Sequence, residues 1–199
     1  EVDTREITSL LREKGAMNSC IGSLSKISEE EAVKAAKEFK GLKGMDLAKV
    51  VSTKSEYDWN EGIWPDNNES NESYSIVAYD YGIKENILRL LTESVGRVKV
   101  VNAKTPFEEI IKLKPNGIFL SNGPGDPEPC DYAIKSIKKF LEKKIPVFGI
   151  CLGHQLLALA GGASTYKMKF GHHGANHPVQ DMSSKDVFIT SQNHGFAVD

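Results

Sequence analysis

The sequence predicts an α/β fold in which a mostly parallel sheet carries helices on both faces, preceded by part of a smaller domain. Two observations lead to this prediction. From residue 74 onward, short apolar segments with strand character alternate with longer helix-like segments, and this alternation is typical of parallel strands joined by helical crossovers. The first 50 residues differ, because they are rich in lysine and glutamate and contain two helical patterns.

Two helices are predicted in the N-terminal region, residues 1–52, which we interpret as the C-terminal part of a small N-terminal domain. In the first helix, apolar residues recur at helical spacing across residues 7–11. The second begins at a capping box formed by Ser28 and Glu31. Residues 53–73 are polar and have little to bury, so they are predicted to form a linker.

The predicted α/β domain spans residues 74–199. Short strands separated by glycines, including one at 186–190, are expected after Gly161. Because a parallel sheet gathers the C-terminal ends of its strands at one edge, a functional site is expected there. The predicted strands before Gly161 are 74–79, 98–101, 117–120 and 147–150, and the predicted helices are 84–92, 106–113, 131–142 and 152–160.

The segment around Cys151 has the pattern of a nucleophile elbow. An apolar run ends in Gly-Ile-Cys-Leu-Gly, residues 149–153, and passes directly into an apolar helix-like segment; α/β-hydrolases use this arrangement with serine as the nucleophile. The two glycines leave room for a sharp turn, and the helix N-terminus is expected to lower the pKa of the Cys151 thiol. The alternative is a buried cysteine in a parallel strand.

Two further segments follow predicted strands at the same edge. Residues 121–126 read Ser-Asn-Gly-Pro-Gly-Asp, a rigid loop whose amides can approach a ligand closely. Together with the Leu152 N–H, an amide near Gly123 could form an oxyanion hole, although a plain tight turn is equally compatible with the loop. The other segment, residues 191–196, reads Ser-Gln-Asn-His-Gly-Phe.

The composition excludes several classes of function. A net charge of −2 gives no reason to expect nucleic acid or an anionic membrane as a partner. The three cysteines are widely separated and lack C-x-x-C spacing, which argues against a disulfide framework and favours a reducing, cytoplasmic location. The apolar stretch 145–163 is interrupted by polar residues, proline and glycine, so no membrane span is predicted, and no signal peptide is predicted at the charged start of the chain.

Matching stretches occur at residues 3–5, 11–15, 78–84, 121–132, 149–155, 167–174, 176–178 and 192–199. They resemble the class I glutamine amidotransferases and, within them, the small subunits of carbamoyl-phosphate synthases. The resemblance covers nearly the whole chain and is weakest in the polar linker. It implies a flavodoxin-like amidotransferase domain that hydrolyses glutamine and passes ammonia to a large synthetase subunit, for arginine and pyrimidine synthesis. It also implies no cofactor in this chain, because ATP and divalent metal belong to the large subunit.

The resemblance further implies roles for individual residues. Cys151 is the nucleophile that forms a γ-glutamyl thioester, and the amides of Leu152 and Gly123 stabilise the oxyanion. The family's catalytic histidine and glutamate belong to a His-x-Glu motif downstream of residue 199, so we expect an internal fragment, truncated within the domain, with little activity by itself. The residues expected to hold the α-amino and carboxylate groups of glutamine are Gly125, Gln155, Asn193, Gly195 and Phe196.

Several alternatives stay open. His154 or His194 could serve as a base without the family match, and the histidines at 172, 173 and 177 raise a zinc hypothesis, although their spacing fits no usual ligand pattern and no metal is predicted. The chain could instead be a glutaminase that serves another synthetase, or a different cysteine hydrolase on the same fold. A non-catalytic scaffold that docks and regulates a synthetase is the alternative from a different class.

Overall fold

The computed structural model describes residues 3–63 and 74–199. In chain order, the helices are α1 (Thr4–Lys14), α2 (Glu29–Glu38), α3 (Ala48–Val51), α4 (Glu85–Val95), α5 (Phe107–Ile110), α6 (Asp131–Glu142) and α7 (Leu152–Ala160), and a 3-10 turn at Ile111–Leu113 follows α5. The strands are β1 (Tyr57–Trp59), β2 (Tyr74–Asp80), β3 (Gly96–Asn102), β4 (Gly117–Leu120), β5 (Val147–Gly149), β6 (Thr165–Gln180) and β7 (Val187–Val198).

The described residues form two compact units. One contains the chain up to Lys43 and Tyr166–Ala197; the other contains Gly44–Thr165 and Val198–Asp199. The predicted boundaries at residues 52 and 73 therefore do not coincide with an edge of either unit. Part of the predicted linker, residues 64–73, lies outside the described residues.

The larger unit is built on a five-stranded sheet with the order β1-β3-β2-β4-β5. Strands β2, β3, β4 and β5 are parallel, and β1 pairs antiparallel with β3 at one edge. The predicted mostly parallel α/β fold is confirmed. Its strands and helices from residue 74 to 160 lie within three residues of the predicted bounds.

Side chains on alternate positions of the strands form a core on each face of the sheet. Val77 and Tyr79 of β2 pack with α6 and α7, whereas the intervening Ala78 packs with α4 through Leu88. The same alternation in β4 sends Ile118 to one face and Phe119 to the other, so helices cover both faces. This burial on both sides explains the short, nearly continuous apolar runs in the sequence.

The polar composition of residues 53–63 predicts a linker, but part of this segment is the edge strand β1. Trp59 packs against the core on the α4 face of the sheet, and the guanidinium of Arg89 lies 5.7 Å from the centre of its ring. Lys99 of β3 forms ion pairs with Glu56 at 3.8 Å and Asp58 at 3.1 Å. Cross-strand pairing thus gives order to a segment whose composition alone does not predict a strand.

In the smaller unit, the two predicted N-terminal helices are present. The side chain of Asp3 caps α1 by accepting hydrogen bonds from the amides of Arg5 and Glu6. The predicted capping box at α2 is confirmed, because Ser28 Oγ accepts from the Glu31 amide and the Glu31 carboxylate accepts from the Ser28 amide. None of the residues of α1 or α2 is buried.

The prediction of short strands beyond Gly161 is wrong. Strands β6 and β7 are 16 and 12 residues long and pair with each other in a two-stranded sheet. Strand β6 continues through Gly171, which has a φ of +78°, a conformation that glycine adopts without strain. Across the described ranges, no helix is long and apolar enough to cross a membrane.

Candidate functional site

Three loops meet at the carboxyl edge of the sheet. Strand β2 leads into Tyr81, β4 leads into Ser121, and β5 leads into Cys151 two residues after its end. Because β4 lies between β2 and β5, the loop that follows it is flanked by the other two. The chain therefore brings together segments that are 30 to 70 residues apart in sequence, at the edge where open α/β sheets carry their sites.

The strand-to-helix turn predicted at Cys151 is present. Cys151 is the N-cap of α7 and adopts φ +53° and ψ −109°, a strained region for a residue with a side chain. A Cβ on Gly149 would lie 2.5 Å from the carbonyl carbon of Gly153, and a Cβ on Gly153 would overlap the backbone of Leu120. Both glycines are thus required by the close approach of α7 to β4 and β5, as in a nucleophile elbow.

Two backbone amides point at the Cys151 sulfur. The N–H groups of Leu152 and Gly123 both donate to Sγ and lower the pKa of the thiol, and the charge of Lys84 acts in the same direction. Burial has the largest effect and raises the pKa above its ordinary value, since a half-buried thiolate loses hydration. The prediction that the helix N-terminus would leave Cys151 with a lowered pKa is therefore wrong for this structure.

The loop that carries Gly123 and Gly125 is held on two sides. A Cβ on Gly123 would collide with the Tyr81 carbonyl, and Gly125, at φ +96°, would bring a Cβ to 2.6 Å from the Met45 carbonyl oxygen. At the end of the loop, the buried Asp126 carboxylate accepts hydrogen bonds from the amides of Gly44 and Glu128 at 2.8 and 3.0 Å. Only glycine fits this path, which places the Gly123 amide beside the thiol.

Helix α7 presents different environments at two neighbouring positions. The side chain of Gln155 is buried, with the residue 5% exposed. The backbone N–H of Gln155 donates to the backbone carbonyl of Cys151 at 3.1 Å, so the Gln155 side chain begins one helical turn after the thiol. His154 is exposed. Of the predicted glutamine-binding residues, the larger unit therefore holds Gly123, Gly125, Leu152 and Gln155 in the loop after β4 and in the first turns of α7.

The remaining predicted glutamine-binding residues, Asn193, Gly195 and Phe196, lie on β7 in the smaller unit. Asn193 is exposed, and its Oδ1 accepts a hydrogen bond from His173 Nδ1 at 2.7 Å. Phe196 is buried, with the ammonium of Lys167 5.7 Å from the centre of its ring. A Cβ on Gly195 would lie 3.3 Å from the same ammonium nitrogen, so Lys167 covers this part of the strand.

Histidines cluster on the β6–β7 hairpin. His172 Nδ1 lies 3.1 Å from His194 Nε2, and the rings of His172 and His177 are 5.0 Å apart. His194 Nδ1 donates to the Phe196 carbonyl at 2.7 Å, which ties the ring to its own strand. Within residues 3–63 and 74–199, no three or more His, Cys, Asp or Glu side chains are grouped so as to hold a metal ion.

Sequence reasoning missed the residues that hold the site together. Asn122 accepts a hydrogen bond from the Lys84 amide at 3.2 Å and donates one to the Gly82 carbonyl at 3.0 Å. Asp80 closes the same turn by accepting from the amides of Gly82 and Ile83. The available signal was the position of two polar residues that are typical turn formers: Asp80 is the last residue of β2, and Asn122 is the second residue after β4.

The chain belongs to the class-I glutamine amidotransferases. The family model described as glutamine amidotransferase class-I matches residues 77–199, which include all three loops and β7. Among curated relatives, the carbamoyl phosphate synthase small chains of Pseudomonas syringae pv. tomato and Pseudomonas putida are both 62% identical to this chain, and that of Pectobacterium atrosepticum is 60% identical. Each match covers the whole chain and 54% of the relative, so the chain spans about half the length of these relatives.

A solved structure supports the fold assignment. A protein of Thermoplasma acidophilum, provisionally assigned as one of the subunits of GMP synthase, is 25% identical and superimposes with a TM-score of 0.51. The match covers 63% of this chain and 67% of that protein. The α/β architecture seen here is therefore shared with that protein.

Proposed function

We propose that this chain is the glutamine-hydrolysing part of a carbamoyl-phosphate synthase small subunit, in which Cys151 is the nucleophile. The observation that carries the proposal is the convergence of two backbone N–H groups, from Gly123 and Leu152, on the sulfur of a strained elbow cysteine. A pair of amides aimed at one point is the arrangement that stabilises the oxyanion of acyl transfer. The high identity to carbamoyl phosphate synthase small chains supports the choice among amidotransferases.

The proposed reaction begins when the Cys151 thiolate attacks the carboxamide carbon of glutamine. The oxyanion of the tetrahedral intermediate then accepts hydrogen bonds from the two amides that had bonded the thiolate. The C–N bond breaks, the nitrogen takes up the proton that the thiol had lost, and ammonia leaves a γ-glutamyl thioester on Cys151. Water then releases glutamate and restores the thiol. As the resemblance to the family implies, Gly125, Gln155, Asn193, Gly195 and Phe196 are proposed to bind the α-amino and carboxylate groups of glutamine.

The ammonia is proposed to pass to the large subunit of carbamoyl-phosphate synthase in the cytoplasm. ATP, bicarbonate and divalent metal act in that partner and not at Cys151, so the chain itself requires no cofactor for glutamine hydrolysis. Because burial raises the pKa of Cys151, bound glutamine and neighbouring groups must favour the thiolate before attack. We therefore expect the full-length protein to hydrolyse glutamine faster when it is assembled with the large subunit.

The test is covalent capture by a chloroketone analogue of glutamine, followed by intact-mass measurement of the full-length protein with and without the large subunit. We expect one adduct in the wild type, none in Cys151→Ser, and protection by excess glutamine. Cys20→Ser is the matched control, because Cys20 is exposed and lies in the other compact unit. Its adduct should equal that of the wild type.

The opposite results would exclude the proposal. An adduct that persists in Cys151→Ser, or that glutamine does not prevent, would mean that Cys151 is not at a glutamine site. A folded complex that forms no adduct and releases no ammonia from glutamine would favour a docking or regulatory role.

A further inference from the structure

We propose that Ser121 is a positioning residue whose hydroxyl orients the Asn122–Gly123 peptide so that the Gly123 N–H faces Cys151. This inference deepens the proposed function and rests on it for the identity of the substrate. The orientation of the amide is, however, a property of the structure that can be tested without glutamine.

The hydroxyl of Ser121 is buried and fully engaged. Ser121 is 0% exposed, its Oγ accepts a hydrogen bond from the Tyr81 amide at 2.9 Å, and it donates to the carbonyl of Asn122 at 2.8 Å. Because the Tyr81 amide occupies the acceptor side of the hydroxyl oxygen, the hydroxyl hydrogen is directed away from that amide and toward the Asn122 carbonyl.

The carbonyl of Asn122 and the N–H of Gly123 belong to the same peptide group. No cis peptide bond occurs among the described residues, and in a trans peptide the C=O and N–H point in opposite directions. A hydrogen bond that holds the Asn122 carbonyl toward Ser121 therefore turns the Gly123 N–H to the opposite side. That side carries the Cys151 sulfur, to which the Gly123 amide donates.

The orientation of the Asn122–Gly123 peptide needs a restraint from outside, because glycine does not restrict it. A peptide that precedes glycine can rotate as a plane at low cost, since Gly123 has no Cβ to restrict its φ. The Asn122 side chain is fixed by Gly82 and Lys84, but these bonds hold the side chain and leave the plane of the following peptide free. The bond from Ser121 acts on that plane directly, at its carbonyl end.

Ser121 also joins the three loops of the edge. Its hydroxyl is bonded to the loop after β2 through Tyr81, and its carbonyl accepts the Gly153 amide at 3.0 Å from the first turn of α7. The residue thus has the elbow helix on one side and the oxyanion loop on the other. In the proposed reaction, its effect on the substrate passes through the Gly123 amide.

The test compares three variants of the full-length protein. Ser121→Ala removes the hydroxyl, and Ser121→Thr keeps it while adding a methyl group to a buried position. Ser136→Ala is the matched control, because Ser136 is a buried serine on α6 whose hydroxyl bonds Tyr79 and not the loop. Thermal unfolding of each variant reports how much of any effect comes from stability.

The first measurement is the rate of Cys151 alkylation by iodoacetamide against pH, followed on the Cys151 peptide by mass spectrometry. In Ser121→Ala, loss of the oriented Gly123 amide should move the midpoint of the profile upward by about half to one pH unit, because one donor to the thiolate is gone. Ser121→Thr and Ser136→Ala should keep the wild-type midpoint. An unchanged midpoint in Ser121→Ala overturns the proposal.

The second measurement is glutamine hydrolysis. We expect kcat of Ser121→Ala to fall by about tenfold or more with KM within about twofold, since an oxyanion donor acts mainly on the transition state, and Ser121→Thr to retain most of the activity. If Ser121→Ala does not fold, the Ser121→Thr variant is the test. A wild-type midpoint of its alkylation profile supports the proposal, and a shifted midpoint despite the retained hydroxyl overturns it. If the wild-type protein does not hydrolyse glutamine, the proposed function is wrong. The alkylation profiles then test the role of Ser121 by themselves.

Discussion

The carboxyl edge of the parallel sheet and the β6–β7 hairpin hold their candidate site residues in different ways. At the sheet edge, Gly149 and Gly153 have no space for a Cβ, and Ser121 and Asp126 are buried with their polar atoms bonded. On the hairpin, most residues are exposed or half-buried, and the contacts of Asn193 are made at the surface.

The difference shows where preorganisation comes from. The elbow is fixed by backbone packing, which leaves Cys151 one conformation, whereas the hairpin residues depend on side-chain hydrogen bonds that water can replace. A substitution at the elbow should therefore lower the free energy of unfolding more than a substitution of similar chemistry on the hairpin.

The largest expected contrast concerns the reactivity of the three thiols. Burial and the nearby Asp46 carboxylate raise the pKa of Cys130 from 9.0 to about 12, so at pH 8 its thiolate fraction is about a thousandfold lower than that of a cysteine with the ordinary value. Cys20 is exposed. In native protein, we expect iodoacetamide to label Cys20 first, Cys151 more slowly and Cys130 last, as measured by peptide mass spectrometry against time.

The sign of the pH dependence follows from the thiolate being the reactive form. Raising the pH should speed labelling of Cys151 and Cys130, and the increase should continue above the range of an ordinary thiol because both pKa values are raised. Denatured protein is the control, in which all three cysteines should react at similar rates. Rapid labelling of Cys130 in the native protein at pH 8 would contradict its assigned environment.

The second prediction tests the backbone packing at the elbow. Gly153→Ala should lower the free energy of unfolding by about 3 kcal/mol, because the added Cβ meets the backbone of Leu120, which cannot move without disturbing β4. Gly161→Ala is the control at the other end of α7, where the nearest atom would be 3.4 Å away and the change should stay within about 0.5 kcal/mol. Urea denaturation of both variants measures the difference.

The smallest expected changes in unfolding free energy come from removing one polar side chain at the sheet edge and one on the hairpin. Asp126→Ala should cost about 2 kcal/mol, since it leaves two amides without their buried carboxylate partner. Asn193→Ala should change stability by less than about 0.5 kcal/mol, because its bond to His173 is exposed. Equal losses of unfolding free energy in urea denaturation would show that the hairpin is held as firmly as the sheet edge.

Much of the larger unit could be predicted from the sequence. Alternating strand and helix signals predict the parallel sheet because buried strands and amphipathic helices leave strong local patterns. The elbow at Cys151 was predictable for the same reason, since two glycines at fixed spacing around a cysteine are a local requirement of the turn. The capping box at Ser28 is another local feature and was found in the same way.

What the sequence did not reveal depends on contacts between distant segments. Strand β1 lies in a polar segment and is ordered by pairing with β3, and the long β6 continues through Gly171 because β7 lies beside it.

By itself, the sequence determined the class of fold, the turn at Cys151 and the glycines near it, because these depend on residues close together in the chain. The tertiary structure decided which groups surround the sulfur. It buried Cys151, so that the pKa rises where a helix N-terminus alone would lower it, and it brought the Gly123 amide to the thiol. It also placed Ser121 between three loops, since only the packing of β2, β4 and α7 makes one buried hydroxyl a partner of both Tyr81 and Asn122.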